Sequence, residues 1–588
     1  MRKTKIICTL GPKTRDKDNI RKLLEAGADA IRINFSHDNH EIHGETAKRV
    51  IEIREEMGKP IPLILDTKGP EIRTGVMKDD IEHVLNIGET FILTTEELEG
   101  NNEKVSITYK KLPNDLEVGS VILIDDGLIE LCVKTLTKTE IECEVISGGI
   151  LGSRKGINIP DTSISLPALT EKDIQDIKFA AKAGFDYIAA SFIRCGRDII
   201  KIKEILEAEG NETIHIIAKI ENREGVNNID EIIDVADGIM VARGDLGVEI
   251  PTEEVPIIQK ELINKANKAG KIVVTATQML DSMIRNPRPT RAETTDVANA
   301  IFDGTSAIML SGETAKGDYP LEAVNIMSKI ALTAEAQVAK QKKSGLISNN
   351  YGMSMTNAVS DATCHAAKEL EASGIIAITK SGYTAKSIAK FKPNCKVIAC
   401  TSNEVVMRQL NLAWGCIPML IETPATEVVD KQFEEALDKV EKKCLLKAGD
   451  IAVLAAGVPL GKEGASNIMK VQYVGNVLGK GLGFGDKEVK AKATTVRAID
   501  AAKNSFNEGD ILVAYRTNNT YLPYMKKASA IVVEESKEEL YNHAVIMGEA
   551  IGIPVIVAAN GIMDGLKNGT VIKIDSNNGY IYSCNKSK

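Results

Sequence analysis

Short runs of apolar, often β-branched residues alternate with longer amphipathic stretches along the first 310 positions of the chain. This alternation is typical of a parallel sheet with crossover helices, in which each strand is buried on both faces and each helix on one. Eight runs predict strands, at residues 5–9, 30–34, 63–66, 187–191, 214–219, 238–242, 271–275 and 306–310. Eight parallel strands close a (β/α)8 TIM barrel, in which the chemistry lies at the carboxyl ends of the strands.

Between the third and fourth runs, residues 69–169 have a different character. Turn residues recur there, and alternating strands are predicted at positions such as 121–124 and 141–145. The pattern predicts an inserted β-barrel domain. Because the insertion leaves and rejoins the barrel at its catalytic end, we expect a lid that excludes water during the reaction.

The second half of the chain predicts two further domains. A polar run at 342–345 indicates a linker, helices and strands alternate from 354 to about 474, and a glycine-rich passage at 475–485 precedes a last α/β region. The predicted division is a barrel at 1–68 and 170–345, a lid at 69–169, an α/β domain at 346–473 and an appended α/β domain at 474–588.

Polar residues follow nearly every predicted barrel strand. They are Arg32, Asn34, Ser36, Asp66, Thr67, Ser191, Lys219, Glu221, Arg243, Asp245, Thr277, Ser311 and Glu313. A barrel needs apolar strand interiors but no charges at one end of its strands, so this cluster is the candidate active site, and a random polar rim is the alternative. Carboxylates beside basic groups suit a divalent cation that holds an anionic substrate, with Glu221 and Asp245 as ligands; an internal ion-pair network is the alternative.

The overall composition narrows the function classes. Hydrophobic residues make up 43% and charged residues 26% of the chain, as in ordinary globular proteins. The net charge of −9 argues against a protein that coats nucleic acid or an anionic membrane. We find no apolar targeting segment and no membrane-spanning run, and the ten scattered cysteines contain no Cys-x-x-Cys pair, so a cytoplasmic protein with reduced thiols is expected.

Four segments, at residues 66–75, 218–222, 240–249 and 309–319, resemble the signature segments of pyruvate kinases. The resemblance extends over residues 1–473, in order and at the separations expected for that family. It implies a catalytic barrel, a lid and an allosteric domain, assembled as a homotetramer. The implied reaction is the last step of glycolysis, in which the phosphoryl group of phosphoenolpyruvate passes to ADP and gives pyruvate and ATP.

The resemblance also implies roles for individual residues. Lys219, Thr277 and Arg32 would be catalytic, Gly244 and Asp245 would bind substrate with them, and Glu221 and Asp245 would hold Mg²⁺ or Mn²⁺. The K⁺ ligands would be Asn34, Ser36, Asp66 and Thr67, and the nucleotide contacts would be Arg73, Lys155, His37 and Asn34.

Two further expectations concern the chemistry. Glu71 indicates potassium dependence, since a lysine at this position can take the place of the ion in the family. The proton donor to the enolate is left open: the resemblance places Thr277 near the reacting carbon, but a hydroxyl is a weak acid and would act through water, with Ser311 and Glu313 as further candidates.

The α/β domain contains a candidate effector loop. Its hydroxyl and glycine residues follow a predicted strand and open a helix, an arrangement that cradles phosphate groups: Thr379, Ser381, Gly382 and Thr384. The loop matches the position where the family binds phosphorylated activators, and a plain strand–helix turn is the alternative. A sugar bisphosphate, a sugar monophosphate and AMP all stay open as effectors.

Histidines raise two weaker hypotheses. His37, His40 and His43 are spaced three apart, but this spacing drifts around a helix and a zinc site is not expected. Residues 474–588 resemble the phosphohistidine domain of enzymes such as phosphoenolpyruvate synthase, with His543 in the relevant place. Because residues 537–544 lack the glycines and hydroxyls of that motif, a structural or assembly role is expected rather than phosphorylation.

Two rival functions make different demands on the sequence. An enzyme of the phosphoenolpyruvate synthase type would need an ATP-grasp domain and an intact Thr-Ser-His segment, and we find neither. A catalytically inactive binding protein would be expected to have lost Lys219, Glu221 or Asp245, and all three are present.

Overall fold

The eight apolar runs form eight parallel strands that close into a barrel in the computed structural model of the chain. The strands are β1 (Lys5–Leu10), β2 (Ala30–Asn34), β3 (Leu63–Asp66), β4 (Tyr187–Ala190), β5 (His215–Ile220), β6 (Gly238–Ala242), β7 (Ile272–Ala276) and β8 (Ala307–Leu310). Strand β1 pairs with both β2 and β8, which closes the ring. Each predicted strand lies within one residue of the observed one at both ends, so these predictions are confirmed.

The structure describes residues 1–160, 162, 164–343, 354–424, 429–457, 466–497, 506–535 and 542–584. It contains two compact units, one of residues 1–358 and 379–420 and the other of residues 359–378 and 421–588. The positions 344 and 345 of the predicted linker lie outside the described residues. Within the described ranges, no helix combines the length and the apolarity that crossing a bilayer requires.

Helices surround the barrel strands in the first unit. They are Lys17–Ala26, His40–Met57, Glu171–Ala183, Gly196–Ala208, Arg223–Asn227, Ile229–Val235, Arg243–Glu249, Val255–Ala269, Arg291–Asp303, Gly312–Ala315 and Pro320–Lys343, with a 3₁₀ turn at Asp281–Ile284. Capping boxes at Thr170 and Thr290 begin two of these helices by satisfying backbone N–H groups that have no partner within the helix. Apolar helix faces and outward strand residues then form one continuous buried core.

A second apolar cluster fills the interior of the barrel. It includes Ile7, Ile64, Tyr187, Ile217 and Met240, which are all almost fully buried. Side chains that point inward therefore pack the barrel as a solid core, and the polar groups are confined to the strand ends.

The insertion forms the predicted β lid. Seven strands build a curled sheet: Ile72–Arg73, Thr90–Thr94, Lys104–Ser106, Val121–Ile124, Ile129–Leu136, Glu140–Ser147 and Gly156–Asn158. His83–Leu85 and Gly149–Leu151 form a two-stranded ribbon, and the short helices Lys78–Asp80 and Leu112–Asp115 complete the lid. The alternation of apolar and polar residues gives the lid its own core.

The first unit also contains helices Tyr383–Ala389 and Glu404–Leu410 with the parallel strands Lys396–Thr401 and Cys416–Leu420. Helix Glu404–Leu410 is held against the amino ends of β4 and β5. Arg408 Nε donates to Asp186 Oδ1 at 2.8 Å, and Gln409 Nε2 donates to the carbonyl oxygen of Thr213 at 2.7 Å. These contacts lie at the barrel end opposite the candidate active site.

The second unit contains two sheets. Strand Ile451–Gly457 pairs in parallel with Gly374–Ile378 and antiparallel with Ser466–Tyr473. A mixed eight-stranded sheet follows, made of Val477–Lys480, Leu482–Phe484, Glu488–Val496, Ile511–Ala514, Ala530–Val533, Val555–Val557, Val571–Asp575 and Tyr580–Ser583. The glycine-rich passage at 475–485 therefore contributes two strands to this sheet.

The remaining helices belong to the second half of the chain. They are Met355–Glu369, Val429–Lys442, Asn519–Tyr521, Leu522–Met525, His543–Ile551 and Ile562–Gly565. The predicted fold class, a TIM barrel with a β lid, an α/β domain and an appended α/β domain, is confirmed. The exact domain boundaries stay predictions.

The buried carboxylate of Asp186 provides a test of what stabilises the barrel end opposite the candidate active site. Asp186 accepts hydrogen bonds from Arg54 Nη1 at 3.3 Å, from the Leu63 N–H at 3.0 Å and from Arg408. Asp186→Ala leaves the guanidinium groups of the buried Arg54 and the half-buried Arg408 without their shared anion, so we expect a loss of about 3–5 kcal/mol of stability. Differential scanning calorimetry should show a lower transition temperature for Asp186→Ala, whereas Asp318→Ala, at an exposed pair with Lys13, should leave it unchanged. Equal transitions for both variants would contradict this account.

Candidate active site

The carboxyl ends of β3, β4 and β5 meet around the ammonium group of Lys219. Its Nζ lies 2.9 Å from Glu221 Oε1, 3.2 Å from Asp66 Oδ1 and 2.7 Å from Ser191 Oγ. These contacts follow from the barrel register, in which β3 and β5 both neighbour β4. Lys219 is therefore fixed by three acceptors from three strand ends.

Burial and charge shape the protonation of this cluster. Burial alone would lower the pKa of Lys219, but the Asp66 and Glu221 carboxylates outweigh it and hold the pKa above its usual value. Burial, together with the negative charge of Asp245, raises the pKa of Glu221 to about 7, although Lys219 opposes this shift. Lys219 therefore stays protonated. Glu221 and Asp245 repel each other, and a further positive charge beside these two acidic groups would offset that repulsion.

Arg32 and Asp66 form the adjacent part of the site. Burial would raise the pKa of Asp66, but the charges of Arg32 and Lys219 overcome this and lower it. Arg32 Nε donates to Asp66 Oδ2 at 2.7 Å, and its Nη1 donates to Thr9 Oγ1 at 3.0 Å. A stable carboxylate therefore orients both Arg32 and Lys219.

The four predicted potassium ligands lie at the ends of β2 and β3. Asn34 is the register partner of Asp66, and its Oδ1 accepts the Ser36 N–H at 3.1 Å. Thr67 is buried, and its carbonyl oxygen accepts a hydrogen bond from Ser191 Oγ at 2.7 Å. The structure thus brings oxygen-bearing residues of two neighbouring strand ends together.

The segment after β7 has a strained backbone. Thr277 has φ of +66°, an unfavourable conformation for a β-branched residue. The Thr277 hydroxyl accepts the Gly244 N–H at 2.7 Å and donates to the carbonyl oxygen of Ala276 at 2.7 Å. Arg243 Nη2 donates to the carbonyl oxygen of Thr277 at 2.8 Å. These contacts hold Thr277 beside Gly244.

Glu313 has a backbone partner on each carboxylate oxygen. The Leu280 N–H donates to Oε1 at 3.0 Å and the Ser311 N–H donates to Oε2 at 2.8 Å. Burial raises the pKa of this carboxyl. Glu313 therefore fixes the loops after β7 and β8, and both Glu313 and Ser311 line the cleft next to Thr277.

The lid brings Arg73 and Lys155 together. Arg73 pairs with Gly156 in adjacent antiparallel strands, so the two basic residues are neighbours although 82 positions separate them in the sequence. Arg73 Nε donates to Glu71 Oε2 at 2.7 Å, and Lys155 Nζ donates to Asp125 Oδ2 at 2.7 Å. Both cations are thus held by lid carboxylates.

Two clefts meet at the mouth of the barrel. One, of about 570 Å³, lies under the lid and is lined by residues that include Arg73, Phe192 and Asn222. The other, of about 720 Å³, is lined by residues that include Gly244, Thr277 and Glu313. Asp126 and Asp245 line both clefts. His37 is exposed, and the lining of these two clefts does not include it.

Asp126 was missed by the sequence analysis. It belongs to Asp125-Asp126-Gly127, a combination that predicts a tight turn, and both aspartates have φ of +56°. Burial, together with the charges of Asp125 and Asp245, raises the pKa of Asp126. No signal in the sequence connects this lid turn with Asp245, because the proximity arises only from the placement of the lid.

The acidic groups suit a divalent cation that substrate helps to hold. Within the described part of the chain, no group of three or more histidine, cysteine or acidic side chains forms a closed metal site. Mg²⁺ commonly takes one or two carboxylates together with substrate oxygens and water. Glu221 and Asp245 repel each other electrostatically and offer oxygen ligands, so the two residues fit such an ion.

Comparisons with known proteins agree with this geometry. Residues 1–324 match the family model of the pyruvate kinase barrel domain, and residues 357–472 match the model of the pyruvate kinase alpha/beta domain. The chain is 46% identical over 583 residues to a pyruvate kinase of Geobacillus stearothermophilus, covering 99% of this chain and 98% of that relative. The chain belongs to the pyruvate kinase family.

Other relatives support the same assignment. A pyruvate kinase of Sporosarcina psychrophila is 45% identical over 587 residues, covering 99% of each chain. The crystal structure of a pyruvate kinase from Cryptosporidium parvum has a TM-score of 0.75 at 38% identity and covers 81% of this chain and 96% of that one. The enzyme class that the resemblance implied, a glycolytic phosphotransferase of EC 2.7.1.40, is thereby confirmed.

The effector loop lies in the first unit. Thr379 and Thr384 are buried and Ser381 is half-buried, while Gly382 has φ of +84° and begins helix Tyr383–Ala389. A side chain on Gly382 would come within 3.2 Å of Leu410, so this turn requires a residue without one. The loop is compact, but it is the chemistry of its hydroxyl groups that suggests a phosphate ligand.

The appended region also matches a known family. Residues 506–579 match the model of the mobile domain of PEP-utilising enzymes, which confirms the resemblance seen in the sequence. His543 Nδ1 lies 3.0 Å from the Thr517 hydroxyl, and Nε2 lies 3.1 Å from Asn519 Oδ1. The glycines and hydroxyls of the phosphohistidine motif are missing from the sequence of residues 537–544, but Thr517 and Asn519, from a separate turn, supply polar partners for the imidazole.

His40 and His43, two of the three histidines after β2, have separate partners. His40 Nε2 lies 2.6 Å from Asp176 Oδ1 and its ring stacks on Phe179. His43 Nε2 lies 2.8 Å from the carbonyl oxygen of His37, and its ring stacks on Phe35. These contacts give His40 and His43 structural roles.

Proposed function

We propose that phosphoryl transfer takes place at the ammonium group of Lys219, beside Arg32. The observation that carries this proposal is the position of Lys219 between Asp66, Glu221 and Ser191, where it stays charged. A phosphoryl group in transfer spreads negative charge over its equatorial oxygens, and a fixed cation stabilises that charge without having to reorganise. Phosphoenolpyruvate would give its phosphoryl group to ADP here and leave as pyruvate.

We further propose that Glu221 and Asp245 hold Mg²⁺ or Mn²⁺ together with the substrate. A divalent cation bound there would neutralise charge on the phosphoryl and carboxylate oxygens. The Gly244 N–H and the Thr277 hydroxyl, 2.7 Å apart, would bind the substrate carboxylate beside these ligands. Their bond to each other occupies these groups until substrate arrives.

The proposed potassium site consists of Asn34, Ser36, Asp66 and Thr67. These residues offer only oxygen ligands, as a hard monovalent cation prefers. Their support is positional, since β2 and β3 end side by side and Asn34 pairs with Asp66. Family membership supports both K⁺ and a divalent ion as cofactors.

Nucleotide binding is proposed for Arg73, Lys155, Asn34 and His37. Arg73 lies on a lid strand and Lys155 directly precedes the strand paired with it, so movement of the lid would bring both cations to the ADP phosphates together. The exposed imidazole of His37 would be available to the nucleotide at the barrel rim. Proton delivery to the enolate would pass through the Thr277 hydroxyl and water, beside Ser311 and Glu313 in the same cleft.

Regulation is proposed to occur at the effector loop formed by Thr379, Ser381, Gly382 and Thr384. Hydroxyl groups beside a helix start would bind a phosphorylated activator. For the appended domain we propose a structural or assembly role, because both ring nitrogens of His543 have partners. A cytoplasmic homotetramer is supported by the family, and the ten cysteines form no disulfide among the described residues.

Lys219→Met tests the phosphoryl-transfer proposal. Because the substituted side chain carries no charge, we expect kcat for pyruvate formation to fall by about 10³-fold or more. Lys178→Met, which removes an exposed lysine beside Glu209, should retain wild-type turnover. A coupled lactate dehydrogenase assay measures both, and unchanged turnover in Lys219→Met would refute the assignment.

Glu71→Lys tests the potassium site. A lysine ammonium at this position should take the place of the ion, so the variant is expected to turn over without K⁺, whereas the wild-type enzyme should need it. Glu117→Lys makes the same charge change on the lid surface and should stay K⁺-dependent. Turnover of the wild-type enzyme is measured in tetramethylammonium buffer with and without KCl. Full activity of the wild-type enzyme without K⁺ would contradict the proposed site.

Ser381→Asp tests the effector loop. A carboxylate there should repel phosphorylated ligands, so activation by fructose 1,6-bisphosphate, ribose 5-phosphate or AMP should disappear while basal turnover persists. Ser402→Asp, on the exposed turn after strand Lys396–Thr401, should leave activation unchanged. Activation that survives in Ser381→Asp would place the effector elsewhere.

A further inference from the structure

Asp173 lies where the lid rejoins the barrel and is completely buried. Its Oδ1 accepts the Gly69 N–H at 3.0 Å, and its Oδ2 accepts the N–H of Thr170 at 2.9 Å and the Thr170 hydroxyl at 2.6 Å. Gly69 begins the segment that leaves the barrel for the lid, and Thr170 ends the segment that returns. One carboxylate thus holds both lid linkers at their bases.

Helix capping explains only half of these contacts. Asp173 and Thr170 form the capping box of helix Glu171–Ala183, which satisfies the start of that helix. The bond to Gly69 instead crosses 104 positions of sequence and contributes nothing to the cap. Among the described residues, the second capping box of the barrel, at Thr290 and Glu293, has its additional hydrogen bonds with Ser282, 11 positions away. Helix capping therefore does not explain the long-range contact between Asp173 and Gly69.

Gly69 packs directly on the active site. Its φ is +75°, and an added Cβ would lie 2.7 Å from Phe192 Cδ2 and 2.8 Å from Ser191 Cβ. The Phe192 N–H donates to Glu221 Oε2 at 2.6 Å, and Ser191 Oγ accepts a hydrogen bond from Lys219. The base of the outgoing linker thus rests on the two residues that orient Glu221 and Lys219.

We propose that Asp173 is a positioning residue that fixes a common pivot for both lid linkers. Arg73 lies four residues beyond Gly69, so the place where Gly69 is held determines where Arg73 and the nearby Lys155 arrive when the lid closes. A carboxylate is suited to this task because it accepts from both linkers at once. The proposal rests on the proposed nucleotide contacts of Arg73 and Lys155.

Asp173→Asn is the main test, made in the full-length enzyme. The amide cannot accept hydrogen bonds on both sides, because its NH₂ group faces one of the two linkers. We expect faster hydrogen exchange at the Gly69 amide and an increase of about tenfold in the KM for ADP. The Kd of phosphoenolpyruvate with Mg²⁺ should change less than about threefold, because the barrel groups stay in place.

Glu293→Gln is the matched control. It weakens the other capping box of the barrel, so it should lower the melting temperature as Asp173→Asn does. Exchange at Gly69 and the KM for ADP should stay at wild-type values in Glu293→Gln. A purely structural role of Asp173 would make the two variants alike.

Two results would overturn the proposal. One is wild-type Gly69 exchange in Asp173→Asn, and the other is fast exchange with an unchanged KM for ADP. Arg73→Ala, measured in parallel, identifies a failure of the nucleotide assignment itself: an unchanged KM for ADP in that variant would remove the proposed contact, while Gly69 exchange still reports on the pivot.

The wild-type enzyme provides a test that needs no variant. If Asp173 fixes the pivot, the Gly69 amide should exchange slowly both without ligands and with phosphoenolpyruvate and ADP. Residues 71–74, beyond the pivot, should become more protected when the ligands bind. If ligand binding changed amide protection equally on both sides of Gly69, a fixed pivot would be contradicted. This test holds even if Asp173→Asn fails to fold.

Discussion

The active site depends on one buried cation whose charge is balanced by two carboxylates. Lys219 could not stay charged at this depth alone, because burial lowers the pKa of an amine. Asp66 and Glu221 reverse that effect, and Arg32 keeps Asp66 ionised in turn. Burial and the nearby charge of Asp245 still raise the pKa of Glu221, so a divalent cation bound beside it would favour its ionised form.

The barrel makes this balance possible because strand order decides which charges meet. Lys219, Ser191 and Asp66 lie on β5, β4 and β3 or just beyond them, and these strands are adjacent in the ring. The inward-facing apolar residues of these strands form a packed core. The polar side chains of the site therefore lie at the rim of the barrel. A shift of register by one residue would turn Lys219 toward the helices and destroy the site.

Much of the fold and of the candidate site could be predicted from the sequence. The contacts that could not be predicted were missed for physical reasons. Strands such as Gly238–Ala242 are buried on both faces, so their composition alone predicts them, and the polar residues that follow mark the catalytic rim. Asp173 instead resembles an ordinary helix cap. Its hydrogen bond to Gly69 joins two residues that the whole lid sequence separates. Asp126 resembles a turn residue, and the partners of His543 come from a separate turn. Contacts made by loops that only the tertiary fold brings together leave no local pattern.

Backbone strain is concentrated where the site needs unusual directions. Phe192, Thr277 and Gln278 all have positive φ, and they follow β4 and β7 at the catalytic end. Each such residue costs about 1–3 kcal/mol, which the packed barrel can offset. In return the Phe192 N–H donates to Glu221, and the Thr277 hydroxyl oxygen accepts the Gly244 N–H. Relaxing either residue would improve local geometry but remove a donor or acceptor from the reacting groups, so the strain is a consequence of aiming backbone atoms into the site.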